Sequence, residues 1–367
     1  MTSYLLAGGG TAGHVNPLLA VADRLREREP ESEITVLGTA EGLEARLVPE
    51  RGYALETIPR VPFPRRPNRQ ALRFPADFRR AVTRTRDLMQ ERGVRVVIGF
   101  GGYAATPAYV AARGAGVPVV VHEANARPGL ANVWGARHAA GVGTVFPGTR
   151  LRGAETVGMP LRREIAELDR AGRRAEAAEH FGLDAEAPVL LVFGGSAGAR
   201  RINGVFAELW PEILARGWQL LHVTGDRKLG EVATSGAHSR VVVPYIDRMD
   251  LAYALADLAV CRSGSATVSE LSALGIPAVY VPYAVGNGEQ ARNARGVVAA
   301  GGALLIPDAS FTPAVAAERL LPLLADAERR ERMRREAAAF GTLDGADRLL
   351  ALVDRARAGN APGGRRR

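Results

Sequence analysis

The feature that most constrains this chain is an alternation that runs through it twice. The apolar runs YLLAG, EITVLG, VRVVIGF and VPVVVHE each precede a helical pattern, and none shows the polar alternation of a sheet wetted on one face. Strands apolar on both sides and separated by helices predict a parallel sheet covered on both faces. Past VGMP the plan restarts: APVLLVFGGSAGARRINGVFAEL repeats buried strand, Gly-rich turn and helix, and WQLLHVTG, RVVVPYI, LAVCRSGSATVSELSALG and IPAVYVPYA follow. Two doubly wound α/β domains in tandem account for this, and 367 residues supply two cores. The join is expected near residue 160, at the turn Gly158-Met159-Pro160, giving domains 1–160 and 161–345. An amphipathic helix is expected at 346–358, its return to the first domain left open, and a disordered tail at 359–367.

Other classes are set aside by what is missing. The single cysteine, Cys261, allows no disulfide framework and no Cys-rich metal site, and it fits a reducing compartment. Met1 leads almost directly into the first glycine loop, leaving no room for an export signal, and the uncharged stretches are broken by Gly and Pro, so no membrane span is expected. No D-x-D signature appears, and neither a metal nor a cofactor is expected.

Three glycine segments sit where a strand hands over to a helix: Gly8–Gly13 in GGGTAGH, Gly99–Pro107 in GFGGYAATP, and Gly194–Arg200 in GGSAGAR. Without side chains, such turns let backbone N–H groups at a helix start approach an anion. Gly8, Gly10 and Gly13 satisfy G-x-G-x-x-G, yet the second strand ends in Gly38-Thr39 where a dinucleotide site needs an acid. A P-loop fails too, because His14 stands where the lysine belongs. Three loops at strand ends, spread over both domains, favour phosphate groups in a cleft between them. His14, beside the positive end of a helix, is favoured in its neutral form and is a candidate general base.

In CRSGSATVSELSALG, Ser263, Gly264 and Ser265 open a helix with free donors, and Glu270 lies inside it among apolar neighbours, where a charge needs a partner and could grip a ribose diol. GNGEQARNA offers Glu289, Gln290 and Asn293 for sugar hydroxyls. From Arg60 to Arg95, eleven arginines face only Asp77, Asp87 and Glu91, and Phe63, Leu72, Phe74 and Phe78 are interleaved. That composition suits an anionic leaflet. A solvated face and nucleic acid are the alternatives; no nucleic-acid motif accompanies the segment, and its prolines are expected to break any long helix.

Six motifs in order, GGGTAGHVNPLLAVA, GFGGYAATPAYVAA, HEANARPGLAN, VGMPLR, VFGGSAGARRIN and CRSGSATVSELSALGIPAVYVPY with EQARNA, resemble the MurG family of peptidoglycan glycosyltransferases over nearly all of residues 3–340. The resemblance implies a GT-B enzyme, two Rossmann-like domains facing a central cleft. It implies transfer of N-acetylglucosamine from UDP-N-acetylglucosamine to the C4 hydroxyl of lipid I, giving lipid II, with inversion and without metal. The first domain would take the acceptor through Gly10, Thr11, Gly13, His14, Gly101, Gly102, Tyr103, His122, Glu123 and Asn125. The donor would meet Arg162, Ser196, Ile246, Ser263, Gly264, Glu270, Gln290 and Asn293, together with Thr11, Gly13 and Asn125. Glu289 and Ala197 depart from the family pattern. The implied location is peripheral, on the cytoplasmic face of the membrane, with the Arg60–Arg95 region as its contact and cell-wall or division proteins as further candidate partners. Rival readings are another GT-B enzyme, such as a natural-product glycosyltransferase or UDP-sugar epimerase, and an NAD-dependent oxidoreductase.

Overall fold

The structure is a computed structural model and describes residues 1–64, 69–195, 199–225, 240–283 and 288–359. The chain divides into two units, Met1–Arg162 with the segment from Asp344 onward, and Arg163–Leu343.

The first unit alternates β1 (Ser3–Gly8), α1 (Ala12–Arg28), β2 (Glu33–Gly38), α2 (Glu44–Glu50), β3 (Ala54–Thr57), α3 (Arg69–Glu91), β4 (Val96–Gly101), α4 (Ala105–Ala115), β5 (Val119–Glu123), α5 (Leu130–Gly135), β6 (Gly141–Thr144) and β7 (Ala154–Thr156). All seven strands are parallel, in the order β3-β2-β1-β4-β5-β6-β7. Strand residues alternate between faces, so β1 feeds two cores: Tyr4 and Leu6 pack with Leu18, Val21 and Leu25 of α1, while Leu5 and Ala7 pack with Ala81, Leu88 and Met89 of α3 and the alanines of α4. This double burial is why the strand sequences are apolar throughout.

α3 differs from the sequence expectation. It runs 23 residues with Pro75 inside it. Proline deprives the helix of one hydrogen bond without ending it, because the following turns bury Ala81, Val82, Thr85, Leu88 and Met89.

The second unit contains α6 (Arg163–Ala166), α7 (Arg174–Phe181), β8 (Val189–Phe193), α8 (Arg200–Leu214), β9 (Gln219–Val223), β10 (Arg240–Val243), α9 (Met249–Leu255), β11 (Leu258–Cys261), α10 (Ser265–Ala273), β12 (Ala278–Tyr280), α11 (Glu289–Ala299), β13 (Ala303–Leu305), α12 (Pro313–Ala325) and α13 (Ala327–Phe340). Its sheet is also parallel among the described residues, ordered β10-β9-β8-β11-β12-β13. The last helix, α14 (Gly345–Ala358), packs in the first unit, where Leu349, Leu350, Leu352 and Val353 join the core of Tyr4 and α1. β6 is cut to fit it: a Cβ on Gly141 would stand 2.7 Å from Leu352, and one on Gly143 3.2 Å from Leu349. Burying those four side chains contributes roughly 6–12 kcal/mol before ordering costs. Among the described residues no helix is long and apolar enough to cross a membrane.

Candidate functional site

In each sheet the order of strand addition reverses beside the unit's first strand, between β1 and β4 and again between β8 and β11. Loops leaving the C-terminal ends of two such strands diverge to opposite faces, and the crevice between them is where open α/β sheets take ligands. In the first unit the segments Gly8–Gly13 and Gly99–Pro107 are those loops; in the second, Gly194 follows β8 and Ser263-Gly264 follow β11.

In the first unit the two loops touch through their backbones. Gly101 and Gly102 have φ of +91° and +82°, and a Cβ on Gly102 would fall 2.4 Å from the Gly9 carbonyl. Helix α1 begins at Ala12, so Gly13 and His14 lie in its first turn. Thr11 is its extended N-cap, and its hydroxyl lies 3.3 Å from His14 Nδ1. His14 Nδ1 is also 3.1 Å from the Gly9 carbonyl. A carbonyl only accepts, so Nδ1 carries the hydrogen and the neutral ring keeps its lone pair on Nε2. Gly101 leaves space at that nitrogen: a Cβ there would stand 3.2 Å from Nε2. Tyr103, partly exposed, accepts from Arg60 through its hydroxyl at 3.0 Å and lies under the Arg60 guanidinium.

His122 and Glu123, at the end of β5, are buried. Glu123 Oε1 accepts from the Asn125 N–H at 2.9 Å, and Oε2 accepts from the Gly129 N–H and from Asn132 Nδ2, both at 2.9 Å. Asn132 is pinned in turn, donating to the His122 carbonyl at 3.1 Å and accepting from the Tyr109 hydroxyl at 2.7 Å. Both residues therefore support the loop carrying Asn125 from behind. His122 Nε2 donates to the Gly158 carbonyl at 3.3 Å. Burial pushes its pKa down to about 4, partly offset by that bond and assisted by His14 nearby.

Folded His122 binds its proton less tightly than an unfolded histidine, so protonation favours the unfolded chain. Its contribution is complete above pH 6.5 and disappears as the pH falls toward 4, about 3 kcal/mol in all. Chemical denaturation of His122→Phe between pH 7 and 4.5 checks this: the variant loses less stability across that range than the wild type.

In the second unit β11 ends at Cys261, and Ser263 and Gly264 lead into α10 with Gly264 as extended N-cap. Ser263 is fully buried, and its carbonyl accepts from Asn293 Nδ2 at 3.4 Å, tying α11 to this loop. Glu270 is 9% exposed and accepts from the Tyr253 hydroxyl at 2.8 Å, which supplies the partner its burial demands. Gln290, in the first turn of α11, accepts from the Tyr283 N–H at 2.9 Å. Ser263, Gly264 and Asn293 are thus gathered at the end of β11, Gln290 is tied to the segment after β12, and Glu270 lies nearly two turns into α10. Ile246 is buried in the loop after β10, and Arg162, Thr11, Gly13 and Asn125 belong to the first unit. Ser196 and Ala197 lie outside the described residues. No three His, Cys, Asp or Glu side chains form a metal-ligating group among the described residues.

Residues 4–144 match the glycosyltransferase family 28 N-terminal domain, and residues 189–349 match its C-terminal domain. A protein of Leifsonia xyli named UDP-N-acetylglucosamine--N-acetylmuramyl-(pentapeptide) pyrophosphoryl-undecaprenol N-acetylglucosamine transferase is 60% identical over 96% of this chain and 98% of its own length. The chain belongs to the MurG family. The crystal structure of Acinetobacter baumannii MurG superposes with a TM-score of 0.77 at 27% identity, covering 97% of this chain and 100% of that one. A UDP-GlcNAc 2-epimerase from Neisseria meningitidis shares the fold at 14% identity, with a TM-score of 0.68 over 97% and 100% of the two chains.

The roles implied by the MurG motifs leave out four residues that brace these loops, Glu44, Asn132, Tyr253 and Arg262, although Asn132 and Arg262 stand inside the motifs. Arg262 is buried and bridges the Val281 carbonyl at 3.0 Å and Asp308, bracing the strand end that carries Ser263. Its position next to Ser263 was the available signal. Glu44 and Tyr253 sit in stretches that carry no motif.

Proposed function

We propose that this chain transfers N-acetylglucosamine from UDP-N-acetylglucosamine to the C4 hydroxyl of the N-acetylmuramoyl unit of lipid I, forming lipid II. The observation that carries this is near-full-length identity of 60% to a relative named for that activity. The glycine loops at both switch points are the matching physical feature.

Within this reading the second unit holds the donor and the first the acceptor. The C4 oxygen attacks C1 of the donor sugar as the bond from C1 to the β-phosphate oxygen breaks, and a single displacement inverts that carbon. The hydroxyl proton passes to Nε2 of His14. The electron pair leaves with UDP, whose growing charge is met by the N–H groups opening α10. Glu270 takes the ribose hydroxyls, and Gln290 with Asn293 addresses the sugar. Neither metal nor cofactor has a part in this scheme. Lipid II formed from a lipid I analogue and UDP-N-acetylglucosamine in EDTA supports it. UDP-sugar epimerisation without a disaccharide product would overturn it.

The acceptor's lipid also gives the arginine belt a use. Phe63 and Leu72 are 72% and 83% exposed, Phe63, Phe74 and Phe78 form a ring cluster with centroids 5.3 and 5.6 Å apart, and Arg73, Arg79 and Arg80 point to solvent beside them. This is a peripheral docking surface for an anionic leaflet. Arg65, Arg66 and the side chain of Arg69 lie outside the described residues. At about 1 kcal/mol per arginine, Arg73→Ser, Arg79→Ser and Arg80→Ser together weaken sedimentation with phosphatidylglycerol vesicles about a hundredfold at low salt. Unchanged sedimentation would leave the belt as a solvated face.

A further inference from the structure

Gly9 and Gly10 share one peptide unit, and its two ends are held by different side chains. The Gly10 N–H donates to Glu44 Oε2 at 2.7 Å, while the Gly9 carbonyl accepts from His14 Nδ1 at 3.1 Å. Glu44 is wholly buried, and its Oε1 accepts from both the N–H and the hydroxyl of Thr39 at 2.9 Å. Three glycines make its chamber, Gly9 from the loop after β1 and Gly38 and Gly42 from the connection leading into α2: a Cβ on them would stand 2.2, 2.5 and 2.0 Å from the Glu44 side chain. Chain flexibility alone accounts for none of these three, because none has a positive φ.

We propose that Glu44 is a positioning residue for glycosyl transfer, acting on His14 through the Gly9–Gly10 peptide. The proposal rests on His14 being the base. A carboxylate on the N–H end of a peptide polarises it and makes the carbonyl at the other end a stronger acceptor, as in any chain of hydrogen bonds in a low-dielectric site. The strengthened carbonyl holds His14 in the tautomer that presents the Nε2 lone pair. It then stabilises the positive ring once Nε2 has taken the C4 hydroxyl proton, while Glu44 itself gains no proton. The Ser-His-Asp arrangement achieves the same with carboxylate and imidazole in direct contact; here one peptide is interposed.

Burial pushes the Glu44 carboxyl up, but the hydrogen bonds from Gly10, its own backbone and Thr39 outweigh that and hold it below the usual range. It is therefore a carboxylate at working pH. Among the described residues, the ionisable groups facing His14 from β5 are His122, and beyond it Glu123, which reaches this region through Asn132. The first is kept neutral by its low pKa and the second is occupied by Asn125, Gly129 and Asn132. The first turn of α1 has no acid, and α5 contributes only the amide of Asn132.

The test combines wild type, Glu44→Gln, Glu44→Asp, His14→Ala and the Glu44→Gln/His14→Ala double variant. Long-range 15N NMR of the wild type should show His14 as the Nδ1–H tautomer. Glu44→Gln should lower kcat about tenfold with KM for UDP-N-acetylglucosamine unchanged, and shift the acid limb of the kcat/KM profile to lower pH. Glu44→Asp should recover part of the loss. With His14 already removed, Glu44→Gln should cost nothing further. An Nε2–H tautomer, or a slow His14→Ala enzyme beside a Glu44→Gln enzyme of normal turnover and pH profile, would overturn the proposal. Full turnover in His14→Ala would instead remove the base reading on which it rests.

Discussion

His14→Ala lowers turnover by about 10²- to 10⁴-fold, the range a positioned general base contributes, while UDP affinity stays within about twofold. The split follows from placement. His14 occupies the first turn of α1 in the first unit, and the residues assigned to the nucleotide's ribose and sugar lie in the second. Its Nδ1 is committed to the Gly9 carbonyl, leaving Nε2 as the proton acceptor beside a backbone that has no side chain at Gly101. Single-turnover kinetics with a lipid I analogue, together with calorimetric titration of UDP, measures both quantities. Near-normal turnover would return His14 to a role in shaping the turn.

Glu270→Ala weakens UDP binding about 10²- to 10⁴-fold, since hydrogen bonds to a charged group are each worth about 1.5–3 kcal/mol and alanine removes both ribose contacts. The carboxylate is nearly enclosed and is aimed by Tyr253. Tyr253→Phe is the informative companion: it keeps the carboxylate and removes one aiming bond, so the loss is nearer threefold to tenfold. Equal affinities for UDP in wild type and Glu270→Ala would detach Glu270 from the ribose.

What the sequence discloses about this molecule is its periodic part. YLLAG and APVLLVF read as buried strands because both faces of a covered parallel sheet must be apolar, and the turns after them are legible because glycine is needed there. The start of α1 is less legible. Gly13 is a poor helix former, so the apolar pattern begins only beyond His14 and hides the fact that the histidine is already helical. Pro75 misleads in the same direction, since local propensity weighs less than the buried face of α3. Glu44 is the least visible: on paper it is an ordinary acid on a short helix. Its enclosure is completed only when the fold brings Gly9, from the loop after β1, against the stretch that carries Gly38, Gly42 and Glu44. The pair His122-Glu123 marks a polar strand end, but residue type does not disclose that Asn132 would draw the carboxylate inward.

The attachment of α14 carries a consequence for biosynthesis. The first 162 residues leave the ribosome lacking one wall of their own interior, and all of residues 163–343 are made before the four side chains that complete it emerge. The later-made unit is thus free to finish folding first, while the earlier one waits with its Tyr4 face uncovered. A nonsense codon near 345 would spare all of residues 163–343 and still leave the first unit without that wall.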